Sequence, residues 1–112
     1  MSDLSAQACV PCSTGGQAMS EAEAKAQLQH LEGWELRDGA TAIGRQFKFK
    51  NFKQALAFVN QLGELAEAEF HHPDIKLGWG YVDVLFQTHK IGGLHQNDFI
   101  MAARTNDLQA SA

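Results

Sequence analysis

The sequence predicts an α+β domain: a four-stranded antiparallel sheet with three helices on one face, in the order α-β-β-α-β-β-α. Three observations carry that expectation. Two regions alternate apolar and polar residues as hairpins do, one long stretch between them repeats apolar residues at helical spacing, and both flanks of the ordered region read as helices.

Residues 1–19 show no apolar periodicity and hold Ser13, Thr14, Gly15 and Gly16 in a row. Such a composition does not offset the entropy of ordering, so a flexible tail is expected. Order is expected from Ser20, because Ser20-Glu21-Ala22-Glu23 forms a capping box in which hydroxyl and carboxylate satisfy each other's backbone donors. Ala24, Leu28 and Leu31 continue at helical spacing, and Gly33 offers a left-handed cap, which places the helix end near Leu31. Trp34 and Leu36 then alternate with Glu35 and Arg37. After Asp38-Gly39, Ile43, Arg45, Phe47 and Phe49 alternate with Gly44, Gln46 and Lys48, completing a hairpin signal.

From Asn51, a suitable N-cap, Phe52, Ala55, Leu56, Val59, Leu62, Ala66 and Phe70 fall on one stripe of the longest helix. Pro73 closes it and biases His72 toward extended backbone. The second hairpin follows: Ile75, Leu77 and Trp79 alternate before Gly80, then Val82, Val84 and Phe86 run on toward His89. Gly92-Gly93 breaks it. The stretch Asp98 to Ala103 is apolar at helical spacing and fades at Asn106-Asp107. One domain is therefore expected over residues 20–108, with residues 109–112 as a C-terminal tail.

At 112 residues and 12.3 kDa, with 45% hydrophobic and 20% charged residues, the chain has room for one such core and no more. Nine Lys plus Arg against thirteen Asp plus Glu give a net charge of −4, and the basic residues are scattered, so no nucleic acid is expected as a partner. No apolar run approaches the roughly 18 residues a membrane span needs, and the first twenty residues hold no Lys or Arg. No membrane association is expected, and the cytoplasm is the expected location. Cys9 and Cys12 cannot form a disulfide framework; a metal-binding, a redox and an inert reading of Cys9-Val10-Pro11-Cys12 all stay open. A sheet of this kind leaves edge strands that subunit pairing would cover, so a homodimer or homotetramer is expected.

The histidines point to chemistry. His71 and His72 leave the long helix just before Pro73, while His89 ends the last strand, the expected partner of the strand that starts after Pro73. The start of one antiparallel strand faces the end of its neighbour, so all three imidazoles are expected together. His30 and His95 receive no role. A metal is not expected, because no His-x-x-x-His pair exists and adjacent histidines on extended chain point apart. There is no Gly-x-Ser-x-Gly elbow, and Gly92-Gly93 lacks the pattern of a phosphate-cradling loop. What remains is proton transfer by imidazoles, without a cofactor.

The segment Glu67-Ala68-Glu69-Phe70-His71-His72-Pro73, then Trp79 after five residues, His89 after nine more and Asp98 after eight more, resembles the signature of the pterin-4a-carbinolamine dehydratases. Gly33-Trp34, Phe47-Lys48-Phe49-Lys50-Asn51-Phe52, Val82-Asp83-Val84, Thr88-His89 and Gly92-Gly93-Leu94 extend the resemblance, which covers about Ser20 to Asp107. It implies an α+β subunit in a dimer or tetramer that dehydrates 4a-hydroxytetrahydrobiopterin to quinonoid dihydropterin. That reaction recycles the cofactor of aromatic amino acid hydroxylases and implies a functional link to phenylalanine hydroxylase. The alternative function implied is that of a dimerisation cofactor for a transcriptional regulator.

The same resemblance gives His71, His72 and His89 the acid and base roles, with His72 and His89 favoured for direct proton transfer. Asp98 has two readings, an acid suited to the first turn of a helix or a carboxylate that orients an imidazole. Trp79 suits core packing more than stacking on a pterin, and Glu67 suits a solvated helix face more than a brace for the histidine turn. Phe70, Pro73, Thr88 and Lys90 flank the histidines as candidate substrate contacts, with Phe70 equally placed to be the last core residue of its helix. The family usually has a hydroxyl residue where this chain has His95, which bears on the helix cap. The Cys9-Val10-Pro11-Cys12 tail resembles that of some bacterial members.

Overall fold

The computed structural model describes residues 18–88 and 91–110. Seven elements follow one another in the expected order: α1 (Glu21–Leu28), β1 (Glu35–Arg37), β2 (Ala42–Lys48), α2 (Phe52–Glu69), β3 (Asp74–Gly78), β4 (Tyr81–Phe86) and α3 (Gln96–Ala110). The strands form one antiparallel sheet in the order β1-β2-β4-β3, so β2 and β4 are central and β1 and β3 are edges.

The register explains which face the helices cover. Ile43 lies opposite Phe86, Arg45 opposite Val84 and Phe47 opposite Val82 across β2 and β4, and Ile75 and Leu77 of β3 lie opposite Val84 and Val82. Residues directly opposite share a face, so these side chains line one side. Ile43, Phe47, Val82, Val84 and Phe86 are buried there with Ala24 of α1, Phe58 and Leu62 of α2, and Phe99 and Met101 of α3. Phe47 packs on Phe58 with ring centroids 4.9 Å apart and edge-on against Trp34 at 6.0 Å. The other face carries polar pairs, among them Arg37 to Asp83, whose bidentate bonds of 2.9 and 3.1 Å hold the guanidinium above its usual range.

Each helix start follows its local chemistry. Ser20 Oγ accepts the Glu23 N–H at 3.1 Å and Glu23 returns the bond to the Ser20 N–H at 2.9 Å, the capping box expected. Asn51 caps α2 by accepting the Gln54 N–H at 2.9 Å.

Several details differ from expectation. The first helix stops at Leu28, short of Leu31, because the chain tightens into two shorter turns that drop Leu31 into the core at 4% exposure. Gly33 is not its cap; it has φ 85° and lies so close to Arg45 that a Cβ would stand 2.6 Å from Nε. On α2 the buried stripe is Ala55, Phe58, Leu62 and Ala66, while Phe52, Leu56 and Phe70 are exposed. Two apolar stripes share that helix, and spacing alone does not say which one meets the sheet. The last helix continues past Asn106-Asp107 to Ala110, with Asn106 accepting the Trp34 indole N–H at 2.8 Å and an Arg45 N–H at 2.7 Å. The expected tail lies, through residue 17, outside the described residues, as do Cys9 and Cys12.

Candidate active site

The site is built where α2 ends. Phe70 takes the left-handed conformation, φ 54° and ψ 38°, and both its N–H and that of His71 return to the Ala66 carbonyl. This is the geometry that ends a helix by reversing its chain direction. The chain then runs through His71 and His72 to β3, and the two adjacent side chains face opposite ways. His71 turns inward and is buried; His72 turns outward and is exposed.

His71 enters a small polar chamber in the core. Its Nε2 lies 2.6 Å from Asp98 Oδ1, and its ring stacks on Phe86 with centroids 6.1 Å apart and planes 14° from parallel. Asp98 is fully buried in the first turn of α3. Its second oxygen accepts the Thr88 hydroxyl at 2.8 Å and the His95 N–H at 2.9 Å. An ionised carboxylate only accepts, so Asp98 requires the proton on Nε2 of His71 and leaves a neutral ring its lone pair on Nδ1. Among the described residues no buried side-chain polar atom lacks a partner. One Asp98 oxygen thus closes the helix turn while the other bonds an imidazole.

His72 has its own carboxylate. Its Nε2 is hydrogen-bonded to Glu67 Oε2, with both side chains largely in solvent. Glu67 is thus a solvated helix residue, as expected, that also bonds to the histidine turn. Helical periodicity pairs residues three or four apart, whereas these two are five apart and meet only because the left-handed turn at Phe70 folds the chain back. His95 also has a part that sequence reasoning did not assign: its Nδ1 accepts the Asn97 N–H at 3.0 Å, so an imidazole does the capping work of a hydroxyl at the start of α3.

The remaining candidates divide. Asp74 of β3 lies opposite Leu85 of β4, which brings the chain before β3 beside the chain after β4, and Thr88 reaches Asp98 from there. Pro73 lies between His72 and β3. His89 and Lys90 lie outside the described residues; the flanking chain is held by Thr88 N–H to Gly93 O at 2.8 Å. Phe70 is 85% exposed and is not a core residue. Trp79 is 72% exposed, which overturns its core reading. It sits in the two-residue turn at the other end of β3, about 20 Å along the strand from Pro73. Within this chain it does not join the histidines.

Fold and site together define a class: a small α+β domain with two imidazole–carboxylate pairs at one bend between a helix and an edge strand. A family model described as pterin 4 alpha carbinolamine dehydratase matches residues 17–108. The chain is 54% identical over 109 residues to a protein of Methylococcus capsulatus, covering 97% of this chain and 96% of that one, and 53% identical over 109 residues to one of Aromatoleum aromaticum, covering 96% and 97%. Both carry the provisional name pterin-4-alpha-carbinolamine dehydratase. A crystal structure from Brucella melitensis, described as a transcriptional coactivator/pterin dehydratase, superposes with TM-score 0.78 at 37% identity, covering 82% of this chain and 98% of its own. A pterin dehydratase-like protein described as a RuBisCO assembly factor in the alpha-carboxysome shares the fold, with TM-score 0.62 at 24% identity over 72% of this chain and 94% of that one. The chain belongs to the pterin-4a-carbinolamine dehydratase family.

Proposed function

We propose that the chain is a hydro-lyase that converts 4a-hydroxytetrahydrobiopterin to quinonoid dihydropterin and water, through one domain spanning residues 20–108. The observation that carries this is the pair of adjacent histidines, each held by its own carboxylate, one buried on Asp98 and one exposed on Glu67. The reaction is redox-neutral: an acid protonates the C4a hydroxyl, the neighbouring nitrogen supplies the electron pair that expels it as water, and a base removes that nitrogen's proton. It needs an acid and a base in one place and no electron carrier.

His72 and His89 exchange protons with the substrate, and His71, locked in one tautomer by Asp98, completes the set. Phe70, Pro73, Thr88 and Lys90 border the bound pterin. Proton transfer by a positioned side chain contributes on the order of 10²- to 10⁴-fold. Such an enzyme serves an aromatic amino acid hydroxylase, phenylalanine hydroxylase first, in the cytoplasm. The test is a stopped-flow assay on freshly generated 4a-hydroxytetrahydropterin. Wild-type protein accelerates dehydration and His72→Ala loses at least a hundredfold; wild-type protein no faster than buffer ends the reading.

The same reading includes a homodimer or homotetramer. The outer face of α2 exposes Phe52 and Leu56, and the helix has no acid in its first turn and no base in its last. Lys53 stands at the positive end of the helix dipole and Glu64 and Glu67 toward the negative end, the reverse of what one helix alone prefers. An antiparallel second copy would set Lys53 against Glu64 and cover both apolar side chains.

The description of the Brucella melitensis relative as a coactivator favours a second reading, a dimerisation cofactor of a transcriptional regulator. There the exposed face of α2, not the histidines, would be the working surface. Retained partner binding in His72→Ala with loss in Leu56→Glu would support it.

A further inference from the structure

Phe70 is disfavoured twice over where it stands. Its backbone is left-handed, a conformation that a side chain with a Cβ resists and that glycine or asparagine takes at the end of a helix. Its ring is 85% exposed, so almost none of its apolar surface is sheltered by the protein. An asparagine would serve the same turn better on both counts. The position is the hinge between the two halves of the site: Glu67 lies one turn before it, and His71 and His72 follow directly.

We propose that the Phe70 ring is a platform for the substrate, stacking on the near-planar guanidine–amide portion of the pterin while His72 reaches the C4a side, so that it positions the heterocycle and selects pterin-like bicycles over smaller amides. The inference rests on the dehydratase reading and goes beyond it by giving the ring, not the backbone, the binding role. Stacking is recognised by area and planarity and needs no hydrogen-bond partner, which suits a side chain without polar atoms. A ring unstacked in the free protein loses no internal contacts when the substrate leaves, which suits a site that must release its product.

The test uses the full chain and two substitutions. Phe70→Asn keeps the left-handed turn and removes the ring; Phe70→Trp keeps a flat ring. Phe70→Asn is expected to melt no lower than wild type, to weaken binding of 7,8-dihydrobiopterin about tenfold, and to raise KM for 4a-hydroxytetrahydropterin about tenfold with kcat within twofold, the size that loss of one stacked aromatic produces. Phe70→Trp is expected to bind and turn over as wild type does. Unchanged binding and KM in Phe70→Asn, with an active wild type, would overturn the platform alone; a wild type that neither binds the pterin nor turns it over would overturn the platform together with the dehydratase reading.

Discussion

Asp98 holds His71 from inside the core, Oδ1 to Nε2 at 2.6 Å, and the two residues come from elements that are far apart in sequence. His71 follows the end of α2 and Asp98 opens α3, so the contact exists only when both helices are docked on the sheet. Thr88, from beyond β4, ties the third element to the same carboxylate. The histidine bend and the core are therefore one structure.

Removing the Asp98 carboxylate leaves two buried groups, the His71 ring and the Thr88 hydroxyl, and the part-buried His95 N–H without their acceptor. Asp98→Ala is expected to destabilise the fold by about 3 kcal/mol or more, measured by urea unfolding. A loss below about 1 kcal/mol would mean the chamber refills with water at little cost.

The exposed pair behaves differently. Glu67→Gln and His72→Ala change solvent-facing side chains, so each is expected to shift stability by no more than about 0.5 kcal/mol. Glu67→Gln is expected to slow dehydration by about tenfold, less than His72→Ala does. Equal rates for Glu67→Gln and wild type would show that the carboxylate only steadies the free protein.

Thr88→Val keeps the volume and removes the hydroxyl donor to Asp98, whose Oδ2 retains the His95 N–H. The expected cost is about 1 kcal/mol, with a fall in kcat because His71 is held less firmly. A loss of stability with an unaltered kcat would assign Thr88 to packing alone.

His95 caps α3 through its ring nitrogen, so His95→Ala is expected to cost about 1 kcal/mol, and His95→Ser to restore most of it by placing a hydroxyl there. Thermal melts of the three proteins settle the comparison. Equal melting of His95→Ala and wild type would mean that solvent caps the helix as well as the imidazole does.

The Glu23 carboxyl is held below the usual carboxylate range by its bond to the Ser20 backbone N–H and then by the Ser20 hydroxyl. A lowered folded-state value means the stabilisation is present above the ordinary carboxylate pKa and is lost as pH falls through the lowered one. Glu23→Ala is thus expected to melt below wild type at pH 7 and to converge with it in acid. A pH-independent gap would place the effect in helix propensity instead.

The oligomer reading has its own check. Leu56→Glu puts a charge in the middle of the exposed stripe of α2 and is expected to shift the mass measured by light scattering to that of the 12.3 kDa monomer. A wild type that is already monomeric at micromolar concentration would end that reading.

Local chemistry determined much of this protein by itself. The capping box at Ser20, the N-cap at Asn51, the alternation in both hairpins and the proline after His72 each act within a few residues, and the element order follows from them. Adjacency before Pro73 also made His71 and His72 legible as a pair, while Asp98 joined them only through the family resemblance. What tertiary structure decided was direction. Helical spacing on α2 left two apolar stripes, and only docking on the sheet chose Phe58 over Leu56. Alternation in β3 pointed Trp79 to a core that its place in a tight turn denies it. Glu67 met His72 because a left-handed residue folded the chain back, and Asp98 met His71 because two helices pack on one sheet. Contacts between distant elements depend on how surfaces fit once buried, which no periodicity along a single element records.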